Sequence, residues 1–219
     1  MRVLRNNGLL LVTLGLFAVF LVGLLLTGHA EQNAELAEHG ERSANLWAYA
    51  VSADFGQAVF ENWESEFLQM GMYVVLTAYL LQKGSAESRP PDGGIDSDEP
   101  PEAHQTDQGV PWPVCRGGVA LTLYKNSLAI LFTLLFGASM WLHAVSGAAK
   151  YSDDQLQHGG EAVSAWSYLG TSEFWFESFQ NWQSEFLAVA VLVAATIWLR
   201  QQRSPQSKPV HAPHSQTGV

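Results

Sequence analysis

Cysteine is almost absent from this chain. Cys115 is the single one in 219 residues, so no intrachain disulfide can form and no cysteine cluster can hold a metal. Basic residues are scarce as well, with 11 Lys and Arg against 21 Asp and Glu and a net charge of −10, a balance that argues against nucleic acid as a partner. Nowhere does a nucleophile motif, a phosphate-cradling glycine loop, a Cys/His metal cluster or a dinucleotide fingerprint occur. An enzymatic reading is therefore unsupported, and no cofactor is implied. Charge is missing most completely from two stretches, Gly8 to Thr27 and Ser127 to Val145, which hold no Asp, Glu, Lys or Arg. Each is about twenty residues, the length that crosses about 30 Å of hydrocarbon.

What the chain does have is a sentence written twice. Phe60-Glu61-Asn62-Trp63-Glu64-Ser65-Glu66-Phe67-Leu68 returns as Phe179-Gln180-Asn181-Trp182-Gln183-Ser184-Glu185-Phe186-Leu187. Sliding the sequence on itself by 119 positions aligns 7–85 with 126–204 without a gap and gives 23 identities. That pattern reads as a tandem duplication, in which each unit is one structural module. Two shorter apolar blocks, Phe67 to Leu81 and Phe186 to Leu199, follow the motif directly, and an aromatic approach can carry each through the headgroup region.

The expected fold is therefore all-α and polytopic, with four transmembrane helices arranged as two tandem hairpins about a pseudo-twofold axis along the membrane normal. Repeat 1 covers 1–83, with spans at about 8–28 and 62–82; repeat 2 covers 119–203, with spans at about 124–146 and 181–201. Between them 84–118 carries seven acids with Pro90-Pro91, Gly93-Gly94 and Pro100-Pro101. This linker and the tail 204–219 have too little apolar content to fold and are expected to be disordered. Gly28-His29-Ala30 after the first apolar run also fits a signal-peptide cleavage site. The internal counterpart of that run favours a retained helix.

Basic residues set the orientation. Arg2, Arg5, Lys83, Arg89, Arg116, Lys125, Arg200, Arg203 and Lys208 flank one side of the spans, and only Arg42 and Lys150 the other. Both termini and the linker are thus expected in the cytoplasm. Ser52 and either Thr171 or Ser172, followed by Asp54 and Glu173, are caps that predict helix starts near 53 and 172, each running on as one rod of about thirty residues.

On these rods Asn62, Glu66 and Thr77 fall within roughly 60° of one another, and Asn181, Glu185 and Thr196 repeat the pattern. A carboxylate where hydrocarbon begins is costly unless hydrated, paired or protonated. Glu66 and Glu185 are accordingly the candidate polar site, read either as a brace within each repeat or as a paired site for a cation or proton. Trp63, Trp182, Trp47 and Trp166 are expected to anchor the outer segments at the interface. His39 and His158 are the retained imidazoles and so the candidate metal ligands, against a simpler role in a His-Gly turn with Gly40 and Gly159. His143 has Leu24 as its counterpart and is expected to reach water near the outer end of its span.

Glu61-Asn62-Trp63-Glu64-Ser65-Glu66-Phe67-Leu68-Gln69-Met70, followed by Gln82-Lys83-Gly84-Ser85-Ala86-Glu87-Ser88-Arg89, resembles a bacterial family of small integral membrane proteins of unknown function. Arg5-Asn6-Asn7-Gly8 and Glu38-His39-Gly40 look like further family features. The resemblance implies a multi-pass protein of the bacterial inner membrane with this duplicated architecture. It implies no reaction, cofactor or ligand. The expected partners are the lipid bilayer and either a second copy or another envelope protein, since four spans enclose little interior. Three functions are weighed: a non-enzymatic module acting through its outer aromatic segments, a small proton or cation transporter using Glu66 and Glu185, or a metal-dependent membrane enzyme using His39 and His158.

Overall fold

The computed structural model describes residues 2–91, 93 and 96–218. Gly94 of the linker's glycine pair, and the side chains of Arg2 and Arg5 on which part of the orientation rests, lie outside the described residues. The described chain is helical with no strand. In chain order the helices are α1 (Arg2–Glu38), α2 (Leu46–Ala50), α3 (Ala53–Tyr79), α4 (Trp112–Arg116), α5 (Gly118–Lys125), α6 (Ser127–Gln157), α7 (Ala165–Tyr168) and α8 (Ser172–Trp198). Two 3-10 turns, Asp96–Asp98 and Pro101–His104, lie in the linker.

Element boundaries recur at the spacing of the sequence repeat. α1 and α6 end at Glu38 and Gln157, and α3 and α8 are both 27 residues long, each starting and ending 119 positions from its counterpart. Local chemistry explains the starts. Ser52 Oγ accepts from Phe55 N (3.3 Å) and Thr171 Oγ1 from Phe174 N (3.2 Å), with Asp54 and Glu173 in the first turns. An oxygen there satisfies an orphan amide, and the acid suits the positive end of the helix. Asn7 breaks the helical backbone inside α1, and Asn126 ends α5 with similar angles.

Among the described residues, only α1 and α6 are both long and apolar enough to cross a membrane, over Asn6–Glu38 and Ser127–Gln157. None of the most apolar window of α1 is buried. A helix apolar on every side and uncovered by protein is compatible with a hydrocarbon surrounding. α3 and α8 have the length, but the repeated motif places Asn, Glu, Gln and Ser on them, which dilutes their apolar character.

The chain forms two compact units. The first comprises Met1–Phe60 and Leu142–Phe174. Its buried side chains include Tyr49, Val59, Ala144, Ala148, Tyr168 and Phe174. Tyr49 lies over Gly28 and Tyr168 over Gly147; a Cβ at either glycine would fall 2.1 or 2.4 Å from the tyrosine. Each tyrosine meets the phenylalanine six residues on, with ring centroids 5.5 Å apart for Tyr49–Phe55 and 5.7 Å for Tyr168–Phe174. His143 lies here too, and here the expectation of a water-reaching imidazole is corrected. It is 0% exposed and stacks on Phe174 at 4.8 Å, because Phe174 turns inward at the start of α8.

The second unit comprises Glu61–Trp141 and Trp175–Val219. Within it Gly71 lets α3 approach α6, since a Cβ there would sit 3.1 Å from Phe132. The linker and tail, expected to be disordered, are described here with local structure. Gly84 N donates to Thr217 Oγ1 (2.8 Å), Gly218 N donates to Ser85 O (2.9 Å), and Ser85 and Lys208 are buried.

Candidate functional site

The repeated motif lies on α3 and α8 within the second unit. Its serines act alike in both copies: Ser65 Oγ donates to Asn62 O and Ser184 Oγ to Asn181 O, each at 2.8 Å. Thr77 and Thr196 also donate to carbonyls of their own helices. Small hydroxyls that bond back one turn hide their polarity inside a helix. Part of the motif's polar face is thereby spent on the backbone.

Glu66 stands on α3 and Glu185 on α8. Glu66 is exposed and Glu185 half-buried. Beside them Gln69 Nε2 donates to Glu185 O at 3.1 Å, a contact from α3 to α8. Of the six predicted polar residues, Glu185 stands at this contact between the two helices. Asn62 is exposed, and Asn181 Nδ2 donates to Glu177 O. Thr196 is buried and shares a 2.9 Å hydrogen bond with Ser85 Oγ, so it does not line an open route.

The buried carboxylate of the motif is a different one. Glu64 is 0% exposed and accepts from Trp182 Nε1 at 3.0 Å, joining one copy of the motif to the other. Around Trp182 stand Phe136, Phe179 and Trp175, with centroids 6.0, 5.5 and 6.2 Å away. Trp63 meets Phe67, which in turn meets Phe132. Edge-on aromatic contacts of this kind add to plain area burial. Sequence comparison passes over Glu64 because its counterpart is Gln183, whose Nε2 donates to Gln180 O in its own helix.

The candidate metal histidines end helices. Nδ1 of His39 donates to Glu35 O (2.9 Å), and Nδ1 of His158 to Asp154 O (2.8 Å). Gly40 and Gly159 follow with φ of 72° and 79°. Glu41 N returns to Leu36 O and Gly160 N to Gln155 O, the six-to-one bond of a glycine-terminated helix. The chain then folds back. Ala44 N donates to Asn33 Oδ1 (2.7 Å) and Val163 N to Ser152 Oγ (2.9 Å), again 119 positions apart. α2 and α7 come next, capped by Asn45 and Ser164, and expose Trp47 (76%) and Trp166 (74%).

At the far ends of α3 and α8 the correspondence extends past residue 204. Gln82 N donates to Ser88 Oγ (2.8 Å) and Gln201 N to Ser207 Oγ (2.9 Å). Gly84 has φ of 86° and Arg203 one of 71°. The sequence signal was the spacing Gln82/Ser85/Ser88/Pro90 against Gln201/Ser204/Ser207/Pro209. Lys208, buried here, donates from Nζ to the carbonyls of Gly84, His214 and Gln216, with Ile197 O 3.3 Å away. Burial, with Arg200 nearby, pushes its ammonium below the ordinary lysine value.

These features define an all-α protein with two helices suited to crossing a membrane. The chain belongs to a family described as a domain of unknown function (DUF6766), which matches residues 1–219. No curated protein and no solved structure matches it.

Proposed function

We propose that the protein is a non-enzymatic module of the bacterial inner membrane, crossing it four times as two tandem hairpins that arose by duplication, with termini and linker in the cytoplasm. In this reading α3 and α8 complete the hairpins begun by α1 and α6. Work is done at the outer face, where the twin caps hold aromatic side chains against the lipid headgroups. The observation that carries the reading is the exposure of Trp47 and Trp166 on short, capped helices at matching places in the two repeats. Indole rings favour the membrane interface because one edge is apolar and the other donates a hydrogen bond.

Depth measurements test this. In a Cys115→Ser background, fluorophores on Trp47→Cys and Trp166→Cys should be quenched by nitroxides attached near lipid headgroups and protected from aqueous iodide. Strong iodide quenching with no lipid effect at both sites would contradict it.

A proton or cation pathway is the second reading, favoured by the contact that Gln69 of α3 makes with Glu185 of α8. It requires that Glu66→Gln with Glu185→Gln abolish flux in liposomes while the protein stays folded. Unchanged flux removes it.

A further inference from the structure

Within the second unit, side-chain contacts set the direction of the long helices. Glu64 meets Trp182, and Gln69 farther along α3 meets Glu185 farther along α8, so these two helices run the same way. Phe136 of α6 meets Trp182, whereas Phe132, about one turn earlier on α6, lies by Phe67 and Gly71, farther along α3. α6 therefore runs against both. Its start shares one end of the unit with the ends of α3 and α8, and α5, which leads into α6 across Asn126 alone, lies there as well.

This end carries the side chains of a membrane surface. Tyr79 and Trp198 close α3 and α8, 119 positions apart and both exposed, and Trp112 and Tyr124 are exposed on α4 and α5. Aromatic rings with a polar edge collect where hydrocarbon meets headgroups. Lys83, Arg116, Lys125 and Arg203 are exposed and make no ion pair among the described residues. Four linker acids, by contrast, are already engaged: Asp98 pairs with Arg89, Glu99 and Asp107 flank His104, and Glu87 accepts from Tyr73.

α5 has two apolar faces. Leu121 is buried, while Val119 and Leu123, four apart and so on the face opposite to it, are 76% and 57% exposed. They are followed within α6 by Leu128, Leu131 and Leu134, likewise exposed and part of its apolar run. A cation stands at each end of the short helix, Arg116 just before its start and Lys125 as its last residue. The Arg116 guanidinium lies 5.6 Å from the centroid of the Trp112 ring. One apolar face held by protein, the other uncovered and followed by a membrane-crossing helix, and cations on both flanks make the pattern of a segment that lies in the headgroup layer.

We propose that α5 lies on the bilayer surface and binds anionic phospholipid, with Val119 and Leu123 among the upper acyl chains and Arg116 and Lys125 against the phosphates. The inference rests on α6 crossing the membrane and not on the aromatic caps or the number of crossings.

Lipid quenching of the full chain in reconstituted bilayers tests it. In a Cys115→Ser background, a bimane fluorophore on Val119→Cys, Leu123→Cys or Leu134→Cys should be quenched by lipids brominated on their acyl chains. In a phosphatidylcholine bilayer, brominated phosphatidylglycerol should quench positions 119 and 123 several-fold more than the same fraction of brominated phosphatidylcholine. Arg116→Gln/Lys125→Gln should remove that excess and leave position 134 quenched. Iodide quenching at 119 and 123 without lipid quenching, while 134 is quenched by lipid, would overturn this proposal alone. Iodide quenching at all three would remove the crossing of α6 together with it. Equal quenching by the two brominated lipids, or an excess that survives the loss of both cations, would each overturn it too.

Discussion

Glu64 and Gln183 hold the same place in the two copies of the motif, yet one is sealed from solvent against Trp182 and the other is exposed. Replacing Glu64 by Ala leaves the indole N–H without this acceptor, which costs about 1–3 kcal/mol. Gln183→Ala should stay within about 0.5 kcal/mol, as surface changes do. Unfolding both variants in mixed micelles, side by side, checks the contrast. The glycines under the tyrosines make a second test. Gly28→Ala and Gly147→Ala force a methyl into the ring above and should each cost about 1–3 kcal/mol, whereas Gly15→Ala, with open space around it, should not destabilise. Identity between repeats pointed to Glu66 and Glu185 and missed Glu64 for a physical reason. Trp182 has Trp63 as its counterpart, but Glu64 faces Gln183, so the match between the two motifs fails at the carboxylate of this contact.

Helix ends were the most legible elements, because capping is settled by neighbours within a few residues. Ser52, Thr171, Gly40 and Gly159 each mark a boundary that the backbone follows. The linker and tail were illegible on the same grounds. The carbonyls gathered by Lys208 come from Gly84, Ile197, His214 and Gln216, distant in sequence, and composition alone cannot foresee such a meeting. Within the linker, His104 makes an exposed clasp, with Nδ1 2.7 Å from Asp107 Oδ2 and Nε2 2.9 Å from Glu99 Oε2. Hydrogen bonds to Asp107 and then Glu99 raise its pKa above 6.5. The folded value exceeds the unfolded one, so the clasp contributes fully below pH 6.5 and is lost as pH rises through the raised value. An NMR titration should find the His104 midpoint above 6.5, moving down in Asp107→Asn; a midpoint at or below 6.5 would contradict the clasp.

For the molecule as a whole, the apolar length of α1 and α6 was plain in the sequence, since two runs free of charged residues need no tertiary context to be read. The fate of α3 and α8 was not, because each mixes the polar motif with a short apolar run. The proposed four crossings and the alternative of two differ in where they put the linker. With four, residue 43 and residue 162 share the outer side, and Cys115 lies within. With two, Cys115 joins residue 43 on one side and residue 162 lies on the other. Cys115 is a free, exposed thiol, and Ser43 and Ala162 are exposed. The direct measurement is labelling of sealed cells with a membrane-impermeant maleimide, using the parent chain and Ser43→Cys or Ala162→Cys in a Cys115→Ser background. The account predicts that positions 43 and 162 both label from outside and that Cys115 labels only after the membrane is opened; labelling of Cys115 and position 43 together in sealed cells, with position 162 protected, would contradict it.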